Sequence, residues 1–144
     1  MIAQAVAWQA PLVMTFSAGP NAALLTLPNV GLWVADSDAE IVFASEVHET
    51  LGTDGSAVTV DVVKAADGAA LSAGTSLLAS TFNLKATINT IQKRTLSAGT
   101  LASSQSGRII PAGYRLGLNF SGTMTAVTGV NIVVVLNRLI RPSW

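Results

Sequence analysis

The chain has no cysteine, a single histidine, few charges and few aromatics, and each shortage removes a class of chemistry. Without cysteine there is no disulfide, no thiolate nucleophile and no Cys-ligated zinc, which is compatible with a reducing cytosol. Charged residues make up 11% of the 144 positions and apolar residues 50%, with a mean hydropathy of +0.52. The surface of a soluble domain is roughly a quarter or more charged, so part of this one is expected to be covered by other chains. Long apolar runs are also missing. The longest, Ile132 to Leu136, falls far short of the roughly 20 residues that cross a bilayer as a helix, and no membrane partner is expected. No basic residue precedes Lys64, and Gln4, Gln9 and Pro11 interrupt the apolar N-terminus, so it reads as mature protein rather than as a signal peptide.

Reactive motifs are equally scarce. Neither G-x-G-x-x-G nor G-x-x-x-x-G-K-[ST] occurs, so no phosphate-cradling loop is expected. There is no G-x-S-x-G elbow and no S-x-x-K. A nucleophile needs an adjacent base, and His48, near Glu46 and Glu49, is the only histidine that could serve. A solvated or hydrogen-bonded strand histidine is its default role. The D-x-D-x-E run from Asp36 to Glu40 begins like a calcium loop but lacks the glycine at the sixth position and the distal bidentate glutamate, so a solvated turn is expected there. A paired-carboxylate glycosidase would need acids flanking a cleft with aromatic platforms, and aromatics are only 6%. The basic residues are dispersed and the net charge is zero, which argues against nucleic acid as a partner. No catalytic residue, metal or cofactor is expected.

Alternation of side chains with a period of two is what the chain does have. From Glu40 to Lys64 two strand-like runs flank a polar segment containing G-T-D-G. In the first, Ile41, Phe43, Ser45 and Val47 share one face, which is read as the apolar one; Val42, Ala44, Glu46 and His48 share the other. In the second, burial of Val58, Val60 and Val62 turns Thr59 and Asp61 toward water. Further strands are expected at Asn29 to Val34, around Ile91 to Arg94 as a charged edge, at Tyr114 to Phe120, and at Val130 to Leu136, which is apolar on both faces like a central strand covered on both sides. Ser76 to Ser80 could form one helical turn, and Ser97 to Gly107 is the best candidate for a mobile loop.

Seven or eight strands at spacings near ten residues, with Gly- and Pro-bearing turns and no long helix, indicate an all-β, two-sheet antiparallel sandwich of jelly-roll-like or immunoglobulin-like topology, with a small barrel as the alternative. The domain is placed at residues 29–144. Residues 1–28 carry no charge, and they either add a strand to their own domain or lie along a neighbour as an arm; the arm is preferred. Trp8, Met14, Phe16, Arg138, Arg141 and Trp144 are the candidate interaction residues. All eight acids precede residue 68 and seven of the eight bases follow it, so the first 67 residues sum to −7. Either the sandwich interleaves early and late strands and mixes the signs, or acidic and basic patches meet between copies.

The phrases H-E-T-L-G-T-D-G-S-A-V-T-V-D-V-V-K from His48, G-T-S-L-L from Gly74, F-N-L-K-A-T from Phe82, I-P-A-G-Y-R-L-G-L-N-F-S-G-T from Ile110 and G-V-N-I-V-V-V-L from Gly129 resemble small β-sandwich head proteins of tailed bacteriophages, the capsid decoration or cement proteins. The resemblance spans about residues 29–138 and rests on strand-and-turn phrases, not on a chemical signature. It implies an auxiliary virion protein, assembled in the host cytoplasm, that binds the outside of the shell. Its partners would be the major capsid protein and further copies of itself, often as trimers. A carbohydrate- or receptor-binding module of a fibre or adhesin is the alternative, and exposed coplanar aromatics would support it.

Overall fold

The computed structural model describes residues 10–18, 29–96 and 101–139. Among these residues, ten strands form two antiparallel sheets. They are β1 (Leu12–Ser17), β2 (Asn29–Val34), β3 (Ala39–Val47), β4 (Thr59–Ala65), β5 (Thr75–Ser76), β6 (Phe82–Asn83), β7 (Gln92–Thr95), β8 (Ile109–Ile110), β9 (Arg115–Ser121) and β10 (Asn131–Arg138). One sheet runs β1-β10-β3-β7 with β8 also on β3; the other runs β2-β9-β4-β5 with β6 also on β4.

The pairing is nested. β4 pairs with β5, β3 with β7, β2 with β9 and β1 with β10, so the chain is a long hairpin rolled over itself, early strands against late ones. The cross-pairs β10 with β3 and β9 with β4 then close each sheet. That order is a jelly roll, the first of the topologies expected from the sequence.

The core lies between the sheets. Ile132, Val134 and Leu136 of β10 face Val58, Val60 and Val62 on and before β4 and Leu116 and Leu118 of β9, all of them buried. Each such aliphatic side chain contributes about 1.5–3 kcal/mol on removal from water. Val60 and Val62 of β4 point inward as their alternation requires, and Val63 lies on the opposite side. Asp61 points outward but stays half-buried, because the Ser76 hydroxyl, donating at 2.7 Å, leans across it. Burial holds its carboxyl above the ordinary carboxylate range despite that bond.

β3 departs from the expected face assignment. Val135 of β10 lies opposite Phe43, but the next residue, Leu136, lies opposite Ile41, so Val42 is an extra residue in β3. This bulge brings Ile41 and Ala44 to the same side and inverts the alternation beyond it. Ala44, Glu46 and His48 therefore face the core, while Phe43, Ser45 and Val47 face outward and are half-buried. The edge strand β2 carries a comparable bulge at Leu32, between Gly31 and Trp33, and Trp33 packs half-buried against the core.

Local differences have local causes. The helical turn falls at Leu71–Ala73 rather than at 76–80, where Thr75–Ser76 instead pairs with β4. Leu101 is buried and bridges Leu78. A one-turn helix, α1 (Gln105–Arg108), follows, its first turn capped by Ser104, which accepts from the Gly107 amide. The segment expected as a mobile loop is thus anchored from residue 101 onward. β7 is an edge strand, as expected, but of its two bases only Lys93 faces water; Arg94 turns inward, its guanidinium 4.6 Å above the Phe82 ring.

Candidate interaction surface

The N-terminal stretch was expected to lie as an arm on a neighbour. Its segment Leu12–Ser17 instead forms an edge strand of its own sheet, six residues in unbroken register with β10. Leu12, Met14 and Phe16 turn toward the core, and the Phe16 ring sits 5.8 Å from that of Phe120 on the opposite sheet. Met14 and Phe16, named from the sequence as contact residues, are thus packing residues. The outward half of the strand is Val13, Thr15 and Ser17, with Val13 59% exposed. Trp8, Arg141 and Trp144 lie outside the described residues, as do 1–9 and 19–28. Arg138 bonds Asp36 at 2.9 Å.

Register extends the outward residues of β1 into rows across the sheet. Val13, Val135, Phe43 and Thr95 form one row; Thr15, Val133, Ser45 and Lys93 form the next; Ser17, Asn131 and Val47 form a third. These three rows are apolar and polar with one charge, Lys93, at the far edge, and the Glu40–Arg108 ion pair lies beyond them on the same face, where Glu40 opposes Asn137. β10 was expected to be covered on both sides; among the described residues only its inner side is. The other sheet differs in kind. There the turn at Leu71–Ala73 touches β2, β4 and β9, and Leu71 packs on the bare backbone of Gly117, where any Cβ would lie 2.6 Å from the leucine Cδ1. Val63, Ala65 and Leu71 make a small second core there.

β1 is also a strand edge of a particular kind. It has no charge, no bulge and no proline within it, and among the described residues no strand pairs with its outer side. Protected edges carry such devices. β2, the neighbouring edge, has its bulge.

At the chain-reversal end of the sandwich, the segment 48–52 lies along 84–89, through the Gly52 amide on the Leu84 carbonyl and the Asn89 amide on the His48 carbonyl. Leu51, Ile88 and Ile91 are exposed on these segments and on the start of β7's approach. Among the described residues the exposed large hydrophobics are all aliphatic, so no aromatic platform is present there. An open depression of about 500 Å³ at the β2 bulge is lined by Leu32, Trp33, Val34 and Arg115. Its guanidinium is already committed to the Ala69 carbonyl.

Acids and bases that are segregated along the sequence meet inside the fold. Asp36 pairs with Arg138 and Glu40 with Arg108, the latter at 3.3 Å, while Asp38 accepts from the Ala112 amide. The acids of the calcium-like run are therefore occupied by turn and ion-pair bonds, and among the described residues no group of three or more His, Asp or Glu side chains is placed to hold a metal. Nesting explains this, since early strands lie beside late ones.

His48 and Glu46 are the surprise. Both are fully enclosed, at 0% and 1% exposure, and bonded to each other at 2.9 Å. Nothing in the alternation marks them as buried, because only the bulge at Val42 turns them inward. No family model matches this chain, and no curated protein or solved structure matches it either.

Proposed function

We propose that this chain is a virion structural protein that binds the outer capsid surface as a decoration or cement protein, associates with further copies of itself, and stabilises the head. The observation that carries the proposal is the uncovered apolar face of the β1-β10-β3-β7 sheet, continuous with the uncharged edge of β1. Strand addition along such an edge supplies backbone hydrogen bonds, and the adjoining face supplies dry contact area. Jelly rolls recur in viral capsid domains, an analogy of fold that raises the proposal without establishing it. Binding is favoured over catalysis because the one histidine and its carboxylate are sealed in the core, out of a substrate's reach. The major capsid protein is the partner proposed for the face, and assembly on the virion follows from it.

The test is co-sedimentation of the purified protein with shells of the cognate major capsid protein that lack it. Val13→Asp and Thr15→Asp, both outward and exposed, should each reduce binding at least about tenfold while leaving the melting midpoint unchanged, as surface substitutions usually do. Wild-type protein that fails to sediment with shells, or variants that bind as well as wild type, would overturn the proposal.

A further inference from the structure

The buried pair Glu46 and His48 sits in a hydrogen-bond chain whose donors and acceptors can be assigned in order. It begins at β6. The Asn83 amide donates to Gln92 Oε1 at 3.1 Å, which fixes the orientation of the Gln92 amide group. Its Nε2 must then donate, and it does so to the Asn83 carbonyl at 2.8 Å and to Glu46 Oε2 at 2.6 Å. Oε2 faces a donor and therefore carries no proton. At the other end of the pair, His48 Nε2 lies 3.1 Å from the Ala86 carbonyl oxygen, an acceptor only, so Nε2 carries a hydrogen and donates it. One contact remains, Oε1 to Nδ1 at 2.9 Å, and it needs one proton, no more and no fewer.

We infer that this one-proton pair is a pH-sensitive latch that ties the segment 83–92 to β3: closed while Oε1 and Nδ1 share a proton, and opened when that proton is lost on alkalinisation. Removal of the proton sets a carboxylate against the Nδ1 lone pair, inside a site that water does not reach. Two of the bonds that hold the segment, Ala86 to His48 and Gln92 to Glu46, run through the pair, alongside the backbone bonds from Asn89 to His48 and from Gly52 to Leu84.

Burial raises the Glu46 carboxyl above its ordinary range, and the bonds from His48 and Gln92 and the nearby Arg94 charge offset only part of that. Toward the pair, β10 presents Ile132 and β1 presents Phe16. β7 contributes Gln92 and Arg94, whose guanidinium is bound to the Ser80 and Thr81 carbonyls. Lys93 is on the outer face, beside Ser45. From the loops, Glu49 lies against Gly129, and Lys85 is engaged by the Asp54 and Ser56 carbonyls. The sign follows. An acid whose folded pKa is raised stabilises the fold below the ordinary carboxylate range and loses that contribution as pH rises through the folded value.

Glu46→Gln separates the latch from mere packing. A glutamine amide there can donate to Nδ1 and accept from Gln92, reproducing the protonated acid without its titration. Protection factors of the Ala86, Asn89 and Gly52 amides, each taken relative to the free chain at the same pH, report on the latch, with Val134 of β10 as the internal reference. In the wild type, opening should increase by up to about tenfold per pH unit as pH rises toward the closed pair's titration and level off above it, the signature of one proton. In Glu46→Gln the profile should be flat. Nitrogen-15 NMR of the wild-type ring should show Nε2 protonated while the latch is closed. Equal pH slopes in both proteins, failure of Glu46→Gln to fold, or a ring without a proton on Nε2 would each overturn the inference.

Discussion

Replacing Gln92 with leucine keeps nearly the same volume and deletes every polar atom that joins β7 to Glu46 and to Asn83. Two kinds of group lose a partner. Asn83 is exposed, so its amide and carbonyl turn to water at little net cost. Glu46 is 1% exposed, and its Oε2 has Gln92 as its donor, so that oxygen is left buried and unpaired. A buried polar atom stranded in this way costs about 1–3 kcal/mol, toward the upper end for a carboxyl group, so about 2–3 kcal/mol is expected here. For a domain near this size each kcal/mol moves the melting midpoint by about 2–4 °C, so differential scanning calorimetry should show a fall of about 5–10 °C at neutral pH. A fall of less than about 2 °C would show that solvent reaches Oε2 and would refute the account of the network.

Two further outcomes follow from packing and charge. Phe16→Ala should destabilise by about 2–3 kcal/mol in a urea titration, less than a fully enclosed phenylalanine, because Phe16 is only half-buried; no measurable change would mean that β1 is not part of the core. Asp61→Asn keeps an oxygen for the Ser76 hydroxyl and removes a charge that burial disfavours. It should match or exceed wild-type stability at neutral pH. The raised Asp61 carboxyl stabilises the wild type only below the ordinary carboxylate value of about 3.9, so the variant's advantage should vanish as pH falls through the folded value toward that point, as melts across an acid series would show.

The sequence was most informative where structure is local. Val58, Val60 and Val62 alternate with polar residues, and they are buried; Leu116, Leu118 and Phe120 alternate likewise, and they face the core. Gly- and Pro-bearing turns marked most of the strand ends. Alternation failed at β3, where one additional residue at Val42 reverses every face that follows. It gave Phe43 and Val47 to the core and Glu46 and His48 to water, the opposite of what the fold does. A bulge is a property of a strand pair, since β10 must supply the register against which Val42 is supernumerary. Burial of the acid and the imidazole is tolerated because Gln92, Asn83 and Ala86 complete their bonds, and these residues lie 38 to 46 positions away along the chain for the pairs that reach β3.

By itself the sequence determined that this is an all-β chain with amphipathic strands that need a second layer, because a period of two is imposed by the backbone of each strand alone. Only the tertiary structure decided which strands are neighbours, that Leu12–Ser17 belongs to its own sheet, that acids and bases from opposite halves meet as Asp36 with Arg138 and Glu40 with Arg108, and which face of the β1-β10-β3-β7 sheet is left uncovered. Those outcomes depend on long-range register, which no short window of residues encodes, and a shift of one residue in it exchanges core for surface.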